Sequence, residues 1–129
     1  MKVVLDSNAL QNINVFQSMT SANVMDCMDN SETIYFVVKG GGWRNPEAMR
    51  RMERIFGKRV RIYEFSEDPK TFIRRLAPDA TEISIESGIA KIKVRNCFKP
   101  RIIGKDKSNL MIIKSLLKRF YEIEDVKII

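Results

Sequence analysis

The chain writes one order of elements twice, and that repeat limits its fold more than any other feature of the sequence. In the first pass Asp6 or Ser7 can cap a helix. Ala9, Leu10, Ile13 and Phe16 recur at helical spacing and give it one apolar face. Asn23 to Cys27 and Thr33 to Val38 are β-prone runs, and Asp29-Asn30-Ser31 between them is turn chemistry, so a hairpin is predicted. Gly40-Gly41-Gly42 breaks the second strand. Asn45-Pro46 pairs a cap with a proline at the first helical position, and Ala48, Met49, Met52, Ile55 and Phe56 supply the inner face up to Gly57. Arg59 to Phe65 alternates as a strand.

The second pass repeats this. Asp68-Pro69 starts a helix with Phe72, Ile73 and Leu76 inward, and Pro78 stops it. Thr81 to Ile85 and Ala90 to Val94 alternate around Ser87-Gly88, so Lys91, Lys93 and Arg95 point away from the apolar face. Lys99 to Ile103 leads into a basic loop. Ser108 is placed to cap a helix whose inward residues are Leu110, Ile113, Leu117 and Phe120. Val126, Ile128 and Ile129 close with a strand.

Each unit therefore reads helix, strand, strand, loop, helix, strand. The expected units are residues 1–66 and 67–129. Three strands with helices on one sheet face make an α+β architecture. The linker Ser66-Glu67-Asp68-Pro69 is so short that the two units should pack as one rigid body.

Composition narrows the chemistry. There is no histidine, and the two cysteines, Cys27 and Cys97, stand alone without a CxxC. That removes the usual zinc spacings, histidine bases and Ser-His or Cys-His pairs. Both cysteines lie in strand-like runs and are expected to be buried thiols. The carboxylates are scattered, so neither an enzyme nor a metal or other cofactor is expected. Residues 1–66 carry net +2 and residues 67–129 net +5, within a total of +7. Such a balance suits a polyanion partner. No stretch approaches the roughly 20 apolar residues that span a bilayer. The short Val3-Val4-Leu5 run ended by Asp6 is not a signal peptide, so the cytoplasm is the expected compartment.

The element order and the loop together resemble the prokaryotic-type KH domain, here as two tandem type II KH-like units. The tandem is similar to archaeal NusA-like transcription factors. The residues that carry the resemblance are Ile55-Phe56-Gly57-Lys58-Arg59-Val60 and Tyr63-Glu64-Phe65-Ser66-Glu67-Asp68-Pro69 with Phe72-Ile73 at the junction. Arg101-Ile102-Ile103-Gly104-Lys105, Asn109 and Lys118-Arg119 carry it in the second unit. A KH domain clamps about four nucleotides by their backbone with a Gly-x-x-Gly loop. Here the second loop is Gly104-Lys105-Asp106-Lys107, with lysine where the second glycine stands in the family. In the first unit, 39–46 is shorter than in family members and lacks the helix that precedes their loop.

The resemblance implies an RNA-binding elongation or termination factor holding single-stranded RNA by its backbone. RNA polymerase is the implied protein partner, with no membrane association and a monomer expected. Gly104, Lys105, Lys107, Ser108 and Asn109 would sit at the RNA backbone, with Lys99 and Arg101 before the loop and Arg50 and Arg54 as a stripe on the first unit's second helix. The alternative is a degenerate KH module that docks on RNA polymerase or another protein with little RNA affinity. The arginines are equally readable as a solvated helix face. Trp43 can stack on a base or fill the gap left by the missing helix.

Overall fold

The computed structural model describes residues 6–41 and 43–129, so the Val3-Val4-Leu5 run and Gly42 lie outside the described residues. The described chain falls into two compact units, 6–65 and 66–129.

In the first unit the Asp6 carboxylate accepts from the Ala9 N–H at 2.7 Å and starts α1 (Ser7–Met19). A hairpin follows, β1 (Asn23–Asp29) and β2 (Thr33–Lys39), in which Asn30 Oδ1 accepts from the N–H groups of Glu32 and Thr33, both at 2.9 Å. Asn45 caps α2 (Pro46–Phe56), and Gly57 ends it in a left-handed conformation. β3 (Arg59–Glu64) then pairs parallel with β2, which also pairs antiparallel with β1. The sheet order is β1-β2-β3. Ile13 and Phe16 of α1 and Met52 of α2 meet Ile34, Phe36 and Val38 of β2 in one apolar cluster, so both helices cover the same sheet face. Phe16 and Phe36 touch with ring centroids 4.4 Å apart.

The second unit repeats the scheme. Asp68 caps α3 (Pro69–Leu76), whose Phe72, Ile73 and Leu76 are buried. β4 (Glu82–Glu86) and β5 (Ile89–Lys93) pair antiparallel, and β6 (Asp125–Ile128) pairs parallel with β5. Ser87 and Gly88, at φ 50° and 74°, make the two-residue turn with the twist a hairpin needs. Between β5 and β6 lie a short 3-10 turn (Asn96–Phe98), α4 (Lys99–Ile103), a second 3-10 turn (Lys105–Lys107) and α5 (Ser108–Tyr121). Ile112, Ile113, Leu116, Leu117 and Phe120 of α5 are buried. The hydroxyl of Tyr121 donates to the Ser66 carbonyl and ties the start of the unit to α5.

Each unit is thus α+β, a three-stranded sheet with helices. Four expectations change. Lys99 to Ile103 is a helix, because Pro100 sits in its first turn and Ile102 is buried against the unit. Leu10 and Ile55 are 47% and 60% exposed, at the margins of their helices' apolar stripes. Cys97 is exposed on the 3-10 turn rather than in a strand, while Cys27 is buried. Ser108 is the first residue of α5 and not its cap; Lys107 holds the cap position without a side-chain hydrogen bond.

Candidate nucleic-acid interface

The loop between α4 and α5 is shaped by backbone angles that few residue types accept. Gly104 has φ 75° and ψ 175°, a region that is essentially glycine-only. A Cβ at this position would stand 2.8 Å from the Asn109 Cβ and 3.0 Å from the Asn109 backbone nitrogen. The Gly104 N–H donates to the Pro100 carbonyl at 2.8 Å and closes α4. Asp106 (φ 54°, ψ 31°) and Lys107 (φ 62°, ψ 19°) are both left-handed. The Lys107 N–H donates to the Gly104 carbonyl at 3.3 Å. The chain then enters α5, whose N-terminus carries the positive end of a 14-residue helix.

The Asn109 side-chain amide donates to the Ile102 carbonyl at 2.7 Å. It bridges the end of α4 to the start of α5 and sets the opening between them. The predicted loop residues Gly104, Lys105, Lys107, Ser108 and Asn109 therefore lie within one turn of chain. Lys105 and Lys107 are exposed; Gly104, Ser108 and Asn109 are half-buried. Asp106 stands between the two lysines and is exposed as well.

Lys99 and Arg101 stand on α4. The Arg101 guanidinium reaches Asp79 at 3.4 Å and lies 5.7 Å from the centre of the Phe98 ring. Asp79 and Phe98 have no sequence signal that marks them as its neighbours, 22 and 3 residues away. Arg50 and Arg54 belong to the first unit. They are exposed and four residues apart on α2, hence on one helix face. Other cations of that cluster are taken by carboxylates: Lys58 pairs with Asp29 at 2.8 Å and Arg44 with Glu64 at 2.6 Å.

The first unit has nothing equivalent to α4 among its described residues. β2 ends at Lys39 and α2 begins at Pro46. Trp43 packs against the apolar cluster of α1, α2 and the sheet, with the Arg44 guanidinium 5.2 Å from its ring centre. The indole N–H is buried and has no hydrogen-bond partner among the described residues. The tryptophan fills space in the core; it does not stand out as a platform.

Two groups have acidities displaced to about 12. Burial, then the charges of Asp29 and Asp26, pushes the Cys27 thiol up to about 12, so it stays protonated and inert at neutral pH. Burial also pushes the Tyr121 phenol up to about 12. Among the described residues no group of three His, Cys, Asp or Glu side chains is placed to hold a metal ion. No described helix is long and apolar enough to cross a membrane.

Fold and loop define an α+β protein of two similar units, one of which presents a glycine-led, lysine-bearing backbone loop at a helix N-terminus. No family model matches the chain. Along nearly its whole length it is similar to archaeal proteins named probable transcription termination protein NusA. With that of Methanocaldococcus jannaschii it shares 29% identity over 139 residues, covering 99% of this chain and 76% of the relative. The Halococcus morrhuae protein is 25% identical, with 99% of each chain covered. The Thermoplasma acidophilum protein is 23% identical, covering 98% and 96%. The crystal structure of APE1850 shares the fold, with a TM-score of 0.74 at 23% identity over 97% of this chain and 100% of that one.

Proposed function

We propose that this chain is an RNA-binding transcription elongation and termination factor of the archaeal NusA type. In this reading it is built of two KH-like units, 1–66 and 67–129, and binds single-stranded RNA by its backbone. The observation that carries the proposal is the Gly104 loop. Its missing Cβ lets the main chain close against Asn109 and Ser108 at the start of α5, and the α5 N-terminus offers N–H groups and a positive dipole end. Lys107 adopts the left-handed angles a second glycine would supply, so the chain path of a glycine clamp survives with a cation added. Lys105 and Lys107 hold the phosphates electrostatically, and Asp106 limits how many they take. The names of the relatives support the transcriptional role. The chain binds and does not catalyse, works without a cofactor in the cytoplasm, and acts as a monomer alongside RNA polymerase.

The test is fluorescence anisotropy with a labelled single-stranded oligonucleotide across salt. A Lys105→Asp, Lys107→Asp double variant should bind weakly. Its log–log salt slope should be shallower by about 1.4, from two lost phosphate contacts at roughly 0.7 each. Unchanged binding would sink the proposed site.

A second reading has its own support. The first unit runs from β2 to α2 with no intervening helix among its described residues. Such shortening fits a unit that docks on protein. Failure of the wild-type chain to bind single strands even at low salt would favour that module.

A further inference from the structure

We infer that the outer face of the second unit's sheet continues the single-stranded RNA path beyond the loop, with Lys91 and Lys127 holding a phosphate between them. This rests on the RNA reading and extends it to a surface that the loop does not include.

Along β5 the side chains alternate: Ala90, Ile92 and Val94 are buried, and Lys91, Lys93 and Arg95 are exposed. The helices cover the buried face, so the cations lie on the opposite one. The strand register then sorts them. Lys93 stands opposite Glu82 of β4 and has a carboxylate within reach across the strands. Lys91 stands opposite Ser84 on that side and opposite Lys127 of β6 on the other. Neighbouring strands lie about 4.8 Å apart, so the two ammonium stems project side by side. Like charges facing each other across a sheet are destabilising. The carboxylate nearest in sequence on that face, Asp125, is already held by Lys114 at 3.3 Å and by the Val126 N–H at 2.8 Å. Among the described residues neither Lys91 nor Lys127 makes an ion pair within 4.0 Å. Glu82 and Glu86 lie diagonal to Lys91 on this face, and the Asp125 carboxylate feels the charge of Lys127, but no carboxylate stands between the two lysines, and an anion there relieves their opposition.

Continuity selects the anion. Cations two residues apart on a strand are roughly 6.6 Å apart, a repeat that suits successive phosphates of an extended strand. From Lys91 the exposed cations run through Lys93 and Arg95 to the 3-10 turn. In chain order half-buried Lys99 and Arg101, which also reaches Asp79, follow on α4 before Lys105 at the loop. A docked acidic protein would need no such connection to the loop. The face offers no aromatic platform in its exposed row, so the contact is to the backbone and indifferent to sequence.

The experiment compares labelled 5-nucleotide and 20-nucleotide oligo(U) by anisotropy across salt, for the wild-type chain and a Lys91→Glu, Lys127→Glu double variant. The wild-type chain should bind the longer strand more tightly and with the steeper salt slope. In the double variant the 20-nucleotide slope should fall by about 0.7, for the one phosphate the pair holds, and binding of the 5-nucleotide strand should stay within twofold. Unchanged binding of the 20-nucleotide strand overturns the inference and leaves an acidic protein surface as the occupant. Loss of 20-nucleotide affinity in the double variant, where the wild-type chain ignores the 5-nucleotide strand, supports this face while refuting the loop. Thermal melts confirm folding; if the glutamates unfold the sheet, a Lys91→Gln, Lys127→Gln pair removes the charges without reversing them and must show the same loss.

Discussion

Gly104→Ala should damage the second unit far more than a single added methyl group normally does. Two separate costs arise. The first is conformational: φ 75° with ψ 175° is glycine territory, and an alanine held there costs about 1–3 kcal/mol. The second is steric. The new Cβ would lie 2.8 Å from the Asn109 Cβ, where carbon atoms normally rest about 3.5–4.0 Å apart. Asn109 cannot yield by changing rotamer, since its backbone nitrogen is itself only 3.0 Å away. The start of α5 must move, and with it the 2.7 Å bond from the Asn109 amide to the Ile102 carbonyl. Losing that bond adds about 1 kcal/mol. The sum is a destabilisation of about 2–4 kcal/mol, a large share of the ~5–15 kcal/mol that holds a domain folded. Urea denaturation followed by far-ultraviolet circular dichroism measures it. Amide exchange places it, with faster exchange expected at Asn109 and Leu110. A loss under ~0.5 kcal/mol with native exchange at those amides would refute the argument, because the backbone would then tolerate a side chain the loop geometry forbids.

Two further predictions concern charge and protonation. Lys107→Gly and Lys107→Ala both remove the charge, but only glycine relieves the left-handed strain of about 1–2 kcal/mol, against a chain-entropy cost of about 0.5–1 kcal/mol. The glycine variant should therefore be as stable as the wild type or up to ~1 kcal/mol more so, and both variants should lose RNA affinity alike; tighter RNA binding by Lys107→Gly would mean that backbone approach outweighs charge. The buried Cys27 thiol keeps its proton up to about 12 in the fold, whereas the unfolded chain gives it up near 9.0. Its contribution is thus whole below pH 9.0 and declines as pH rises towards about 12, by at most about 1.4 kcal/mol per pH unit. Chemical denaturation across that range should show a shallower decline for Cys27→Val, and parallel curves would contradict the assignment.

What the sequence reveals and what it hides divide along a physical line. Caps and turns are local chemistry, so Asn45-Pro46, Asp68-Pro69 and Ser87-Gly88 mark their elements directly. Alternation and helical spacing find the buried residues of β5 and α3 for the same reason. α4 escapes because its five residues are shorter than two helical turns and show no period. The left-handed Asp106 and Lys107 escape because no propensity favours them there; the closure of α4 onto α5 imposes them. That same closure displaces Ser108 from the cap position its chemistry suits. Leu10 and Ile55 share their helices' spacing but sit at the edge of the stripe, where periodicity alone cannot separate covered from bare. The loop is therefore legible as a run of residues and its geometry is not: Gly104 is visible as a glycine, but not as a position where a side chain would strike Asn109.

The two units also treat their cations differently, and this bears on which can grip a polyanion. After β2 the first unit has only residues 40–45 in which to turn back into α2. Trp43 is drawn against the core, Arg44 lies over it, and Glu64 takes the guanidinium. Lys58 is spent on Asp29 and on the Asn30 carbonyl, 2.9 Å away. In the second unit the extra helix carries the chain outward, and Lys105 and Lys107 stand in solvent on either side of Asp106. A lysine whose partner is a fixed carboxylate must break that bond before it meets a phosphate, while an unshared one does not. Basic residues therefore count unequally toward a polyanion, according to whether a carboxylate already holds them. The net charges of +2 and +5 do not separate paired from unpaired cations: in the second unit Arg101, Lys114 and Lys118 are also held by carboxylates, but the two loop lysines are not.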